Sequence, residues 1–277
     1  MAKKALCIGI NNYPGTDMDL QGCVNDATDW AGVLAERGFK VASLLDEQAT
    51  KAAMLKAMGE LIAKASKGDA LLITFSGHGT YQPDTDGDEV DGLDEALCPY
   101  DLQTKGEALT DDEIRNLFLT RKAGVRIVLI SDSCHSGTVT RAAKAEKDAD
   151  SRPRFMPMGN WLPDKLLPRN RAGKVATTMT GPAGTTPFFG AYSNKLGDLL
   201  LSGCKEGPNN FSYDARIKGR FNGAFTYYAL KALKSMKPGA NYADWHKAIA
   251  KYLPSASYPQ SPQIVGSATA RKGKIFE

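Results

Sequence analysis

The chain has 277 residues, long for one domain and short for two, and its 42% hydrophobic and 24% charged content is ordinary for a globular protein that buries a substantial core. Its net charge of +4 is mild and no RNA- or DNA-binding signature accompanies it, so no nucleic-acid partner is expected. No run approaches the ~18 apolar residues of a membrane helix, and the opening Ala5-Leu6-Cys7-Ile8-Gly9-Ile10 is too short for a signal-peptide core. No membrane partner is expected. Five cysteines without framework spacing suit a reducing compartment, so the expected location is cytoplasmic. Cys7, Cys98 and Cys204 read as small buried apolar residues.

Strand and helix signals alternate along the chain. A strand over Ala5–Ile10 leads into the turn-rich Asn11-Asn12-Tyr13-Pro14-Gly15. Asn25 to Arg37 reads as a helix, with Ala27, Trp30, Ala31, Val33 and Leu34 on its apolar side and Gly38 at its C-terminal cap. Lys40 to Leu45 is a second strand, Thr50 to Lys67 a helix, and Ala70 to Phe75 a third strand. A long polar loop, a helix from about Thr110 to Arg121 and a strand over Val125–Ile130 follow. This rhythm predicts an α/β fold with a mainly parallel sheet covered on both faces. It breaks at Thr138. From there to about Lys195 the chain is rich in Pro, Gly and basic residues with little periodicity, and a segment of this kind is commonly functional or disordered. A fifth strand over Asp198–Cys204, helices over Ala224–Met236 and Tyr242–Leu253, and a last strand over Pro259–Val265 complete the pattern.

Two motifs stand directly after predicted parallel strands: Ser76-Gly77-His78-Gly79 and Asp132-Ser133-Cys134-His135-Ser136-Gly137. Parallel strands end on one edge of a sheet, and ligands bind in the crevice outside those ends. His78 and Cys134 can therefore meet across one cleft. A thiol facing an imidazole is the minimal equipment for nucleophilic acyl transfer. The competing reading is a buried cysteine and a loop histidine that never meet. His135 is rejected as the partner because adjacent side chains at a strand end point apart. His246, in a late amphipathic helix, reads as a surface or half-buried residue.

Together with Gly22-Cys23-Val24-Asn25-Asp26-Ala27, Leu201-Ser202-Gly203-Cys204, Gly223-Ala224-Phe225-Thr226 and Ser261-Pro262-Gln263-Ile264-Val265-Gly266, these motifs resemble the caspase-like cysteine peptidases, most closely the metacaspases. The resemblance covers nearly the whole chain. It implies a caspase-like three-layer αβα sandwich forming one catalytic domain over residues 1–277. Within it lie a large-subunit-like part (1–140), a basic linker (141–195) and a small-subunit-like part (196–277). With no long pro-region ahead of the first strand, the chain looks like a compact prokaryotic-type member, and a monomer is expected.

The resemblance also implies roles. Cys134 is the expected nucleophile. A free thiol with pKa ~8.5 needs help, and His78 would take its proton and later protonate the leaving amine. The amides of Gly79 and Cys134 would form the oxyanion hole. Cys23, Asp26, Ser76 and Asp132 match the primary pocket, whose carboxylates would attract Arg or Lys before the cleaved bond. Asp26 alone reads equally as a helix-terminal charge. Expected partners are thus peptides or proteins with exposed Arg or Lys. Such a protease could also cut its own linker, at Arg141, Lys144, Lys147, Arg152 or Arg154. The sequence does not choose among them, and an uncut basic loop competes with the idea. Asp94, Asp111 and Asp112 match three of four aspartates that hold an activating Ca²⁺; the fourth position is Arg141, which would weaken the site. The acidic run from Asp84 to Glu95 is not an EF-hand, because Glu89 stands where that loop requires glycine. A peptidase of acidic specificity and a non-catalytic caspase-like scaffold are the alternatives.

Overall fold

The structure is a computed structural model that describes residues 1–83, 93–134, 150–167, 198–205 and 210–277. The chain begins with β1 (Lys3–Gly9), α1 (Cys23–Glu36), β2 (Lys40–Leu45), α2 (Lys51–Ala63) and β3 (Ala70–Ser76). It goes on through β4 (Gly79–Pro83), β5 (Leu93–Leu97), α3 (Leu102–Lys105), β6 (Leu109–Thr110), α4 (Asp111–Leu119) and β7 (Arg126–Asp132). Then come β8 (Ser151–Pro153), β9 (Leu199–Ser202), β10 (Tyr213–Ile217) and β11 (Arg220–Gly223). The chain closes with α5 (Ala224–Lys234), α6 (Tyr242–Ile249), β12 (Gln263–Gly266) and α7 (Ala268–Arg271).

The central sheet has the order β12-β9-β7-β3-β1-β2. All its pairings are parallel except that of β12 with β9. Alternate residues of each strand supply opposite faces. Leu6, Ile8, Leu71, Ile73, Ile127 and Leu129 share a core with Met54, Met58 and Ile62 of α2 and Ile114 and Phe118 of α4. Their neighbours Ala5, Cys7, Leu72, Val128 and Ile130 pack with Trp30 and Leu34 of α1, Phe225 of α5 and Trp245 of α6. The result is the expected three-layer αβα sandwich. No helix among the described residues is long and apolar enough to cross a membrane.

Several expectations need correction. α2 stops at Ala63 instead of Lys67: the chain turns to bury Ala65, and the Asp69 carboxylate takes the amides of Ser66 and Ala2. α6 stops at Ile249 instead of Leu253, because the backbone bonds tighten there to i→i−3, Lys251 donating to Ala248 and Tyr252 to Ile249. The "polar loop" after β3 contains a small antiparallel sheet, β4-β5-β6, with Ala96 and Leu97 fully buried. Part of the 141–195 linker is ordered as well. β8 joins β10 and β11 in a second antiparallel sheet and carries Arg154 into the interior.

Candidate active site

The register of β3 on β7 pairs Ser76 with Asp132. His78 and Cys134 therefore each lie two residues beyond the same rung, on the edge where the parallel strands end. His78 is buried, and its amide donates to the Tyr13 hydroxyl at 2.8 Å while the two rings lie 4.9 Å apart. Its Nε2 meets the Met18 carbonyl at 2.6 Å. A carbonyl only accepts, so Nε2 carries the proton and Nδ1 the lone pair. Nδ1 is buried and has no hydrogen-bond partner among the described residues, and the Arg154 backbone lies against the ring. Burial pushes the imidazole down to about 4, against the opposing pull of the Met18 hydrogen bond, which keeps the ring neutral near pH 7. Cys134 is fully buried; the Ser212 amide donates to its sulfur, and the Cys204 sulfur lies 3.4 Å away.

Arg154 occupies the space between these groups. β8 runs antiparallel to β10, pairing Pro153 with Tyr213 and Arg152 with Asp214, and the Arg154 amide donates to the Ser212 carbonyl at 2.8 Å. The Arg154 carbonyl accepts from the amides of Gly79 and Cys134, at 3.1 Å each. On its far side the Met156 amide donates to the Gly79 carbonyl at 2.8 Å. One peptide carbonyl thus rests on the two amides expected to form an oxyanion hole, with His78 beside it.

The Arg154 side chain is wholly buried among three carboxylates. Nη2 meets Asp26 at 2.7 Å and Asp214 at 3.0 Å; Nη1 meets the Asp132 carboxylate at 3.3 Å and the Asp132 carbonyl at 3.1 Å. Each carboxylate is held from behind. Asp26 accepts from Asn222 and the Gly223 amide, Asp132 from the Ser212 hydroxyl and the Thr226 amide, and Asp214 from the amides of Gln21 and Gly22. Such backing offsets the desolvation of buried charge. It does not offset it fully at Asp26, where burial outweighs Arg154 and pushes the carboxyl up to about 7. Gly223 closes one wall: a Cβ there would overlap the Asp132 carboxylate and the Arg154 guanidinium. Cys23 and Ser76 are buried at the same site, and burial raises the Cys23 thiol well above its ordinary value, making it a neutral wall.

A family model described as metacaspase, peptidase C14 domain, matches residues 3–143. Metacaspase-1B of Neosartorya fischeri is 43% identical over 95% of this chain and 68% of its own length. The chain belongs to the metacaspase family of cysteine peptidases.

Further metacaspases agree. Metacaspase-1A of Neurospora crassa is 33% identical over 96% of this chain, and this chain covers 63% of it, so the chain spans about two thirds of the length of such relatives. A solved protein from Geobacter sulfurreducens has a TM-score of 0.70 at 32% identity, over 99% of this chain and 97% of that one. Caspase-1 of Spodoptera frugiperda, with a TM-score of 0.52 at 12% identity over 96% of this chain and 86% of its own, shares the fold.

The other predicted residues of this metacaspase divide clearly. Arg152 is half-buried, and its Nη1 reaches the Asp19 carbonyl at 3.2 Å beside a cleft of about 210 Å³ that Met18, His78 and Pro153 also line. Arg141, Lys144, Lys147 and His135 lie outside the described residues. His246 is half-buried on α6 with its Nε2 at the Pro262 carbonyl, a structural role. Asp111 and Asp112 open α4 behind a Thr110–Glu113 capping box, and Asp112 pairs with Arg115 at 2.5 Å. Asp94 lies on β5. Among the described residues no group of three or more His, Cys, Asp or Glu could hold a metal, so those present do not by themselves fit a calcium site; residues 84–92 and Arg141 lie outside that set.

Sequence reasoning missed Tyr13, Met18, Ser212 and Asp214. The Asp214 strand carried a readable signal in Lys218-Gly219, both at positive φ, the turn of a two-residue hairpin. Cys204 is buried in an apolar cluster as expected, and its sulfur also meets that of Cys134. Its hydrogen bond to Cys134, followed by burial, raises its thiol well above the ordinary value.

Proposed function

We propose that this metacaspase hydrolyses peptide bonds after arginine, and more weakly after lysine, and that the Arg154–Phe155 bond of its own linker is one such bond. The observation that carries the reading is Arg154: its carbonyl on the Gly79 and Cys134 amides, its guanidinium among Asp26, Asp132 and Asp214.

The reaction then runs as follows. The Cys134 sulfur attacks the carbonyl carbon, and its proton passes to the unprotonated nitrogen of the neutral His78 ring. The two amides hold the developing oxyanion. The C–N bond breaks as His78 returns the proton to the departing amine, and water later hydrolyses the thioester. A guanidinium spans separate carboxylates with both its nitrogens, whereas an ammonium is a single point charge, so arginine is favoured. Three carboxylates oppose an acidic side chain at the same place, which argues against acidic specificity.

Calcium dependence extends this reading on the aspartate pattern of the sequence alone. A reducing, cytoplasmic setting is supported by five unpaired buried cysteines. A monomer completes it.

The test is hydrolysis of matched Arg, Lys and Asp peptides, with and without Ca²⁺. Arg is expected to exceed Lys, Asp to remain uncut, and Cys134→Ala to abolish turnover. Equal turnover in Cys134→Ala, or cleavage after Asp, would overturn the proposal. Equal rates in chelator and in Ca²⁺ would remove the metal from it. A scaffold would leave Cys134 unlabelled by a basic-peptide electrophile.

A further inference from the structure

The segment that fills the cleft continues beyond Arg154, and Thr80, Tyr81 and Phe211, which receive its next residues, lie outside the linker. Phe155 is fully buried. Its ring stacks on Tyr81 of β4 at 5.7 Å and 26° and meets Phe211 edge-on at 6.4 Å. Its backbone is aligned with Gly79 through a parallel bridge. The Met156 carbonyl accepts from the Thr80 hydroxyl at 2.7 Å, and Trp161 donates to that hydroxyl in turn at 3.1 Å. β4 therefore offers a backbone track on the leaving-group side of the Arg154 carbonyl. Two fixed rings, one at each side, flank the first side chain on it.

We propose that Tyr81 and Phe211 form the subsite for the residue immediately after the scissile arginine, and that it takes a large aromatic or aliphatic side chain. This rests on the arginine-directed reading above. The slot is apolar on both walls, so an aromatic ring gains contact and leaves water. A carboxylate there would lose hydration against the apolar side chains that surround Phe155 among the described residues. The preferred substrate is thus a basic residue followed by a bulky apolar one.

The test uses the full chain and internally quenched peptides that share Ser-Arg-Pro-Arg and vary the next residue among Phe, Leu, Ala and Asp. The chain's own segment competes equally with every peptide, so ratios of kcat/KM are independent of it. Phe is expected to exceed Ala by about tenfold and Asp to fall below Ala. Phe211→Ala is expected to draw the Phe-to-Ala ratio toward one, and Tyr81→Leu to reduce it. Cleavage of all four peptides at equal rates would overturn the subsite and leave arginine specificity standing, as would a Phe preference that neither variant alters. No cleavage of any of the four would overturn the arginine reading itself, and the subsite with it.

Discussion

His78 and Asp26 are both buried at one site, and burial moves them in opposite directions in protonation. His78 is lowered from 6.5 to about 4, so its contribution to stability is present above 6.5 and is lost as pH falls through 4. Asp26 is raised from 3.8 to about 7, so its contribution is present below 3.8 and is lost as pH rises through 7. For binding, the ionised form of Asp26 is the one that attracts a guanidinium. With a guanidinium in the pocket Asp26 lies at about 7, and without one it is pushed higher, so the KM for an Arg peptide should rise as pH falls toward that value, and Asp26→Asn should remove the dependence. A KM flat across the range in the native chain would contradict the pairing. His78, Cys134, Asp26 and Asp132 were legible because each sits in a short motif tied to a strand or helix end. Asp214 was not, because its partners Gln21, Gly22 and Arg154 are remote in sequence.

Elements differ in how far sequence exposes them. β3 and β7 are almost wholly buried apolar runs and could be read directly. β8, with three residues, has no such run; it is a strand only because β10 pairs with it. The same holds for β4, β5 and β6, short strands of mixed polarity. The turn from β11 into α5 shows what packing adds. Gly223 has an ordinary φ of −67, so its need for glycine is steric and lies in the pocket wall. Gly223→Ala should raise the KM for Arg peptides by tenfold or more, on the order of 1.4 kcal/mol. An unchanged KM would show that the wall yields.

Across the whole molecule, the central sheet, the second antiparallel sheet and the helix layer of α1 and α5 converge on a side chain from the chain's own linker. Removing that side chain leaves three buried carboxylates facing one another. Arg154→Ala should destabilise the intact chain by about 3–5 kcal/mol in urea unfolding; an unchanged midpoint would mean that the pocket does not depend on its occupant. Whether this occupant is held as a substrate is read from the intact mass of the purified chain over time. Two fragments are expected, one ending at Arg154 and one beginning at Phe155, formed at a rate independent of protein concentration and absent in Cys134→Ala. A chain that hydrolyses Arg peptides while its 154–155 bond stays whole, or a cut at that bond in Cys134→Ala, would contradict it.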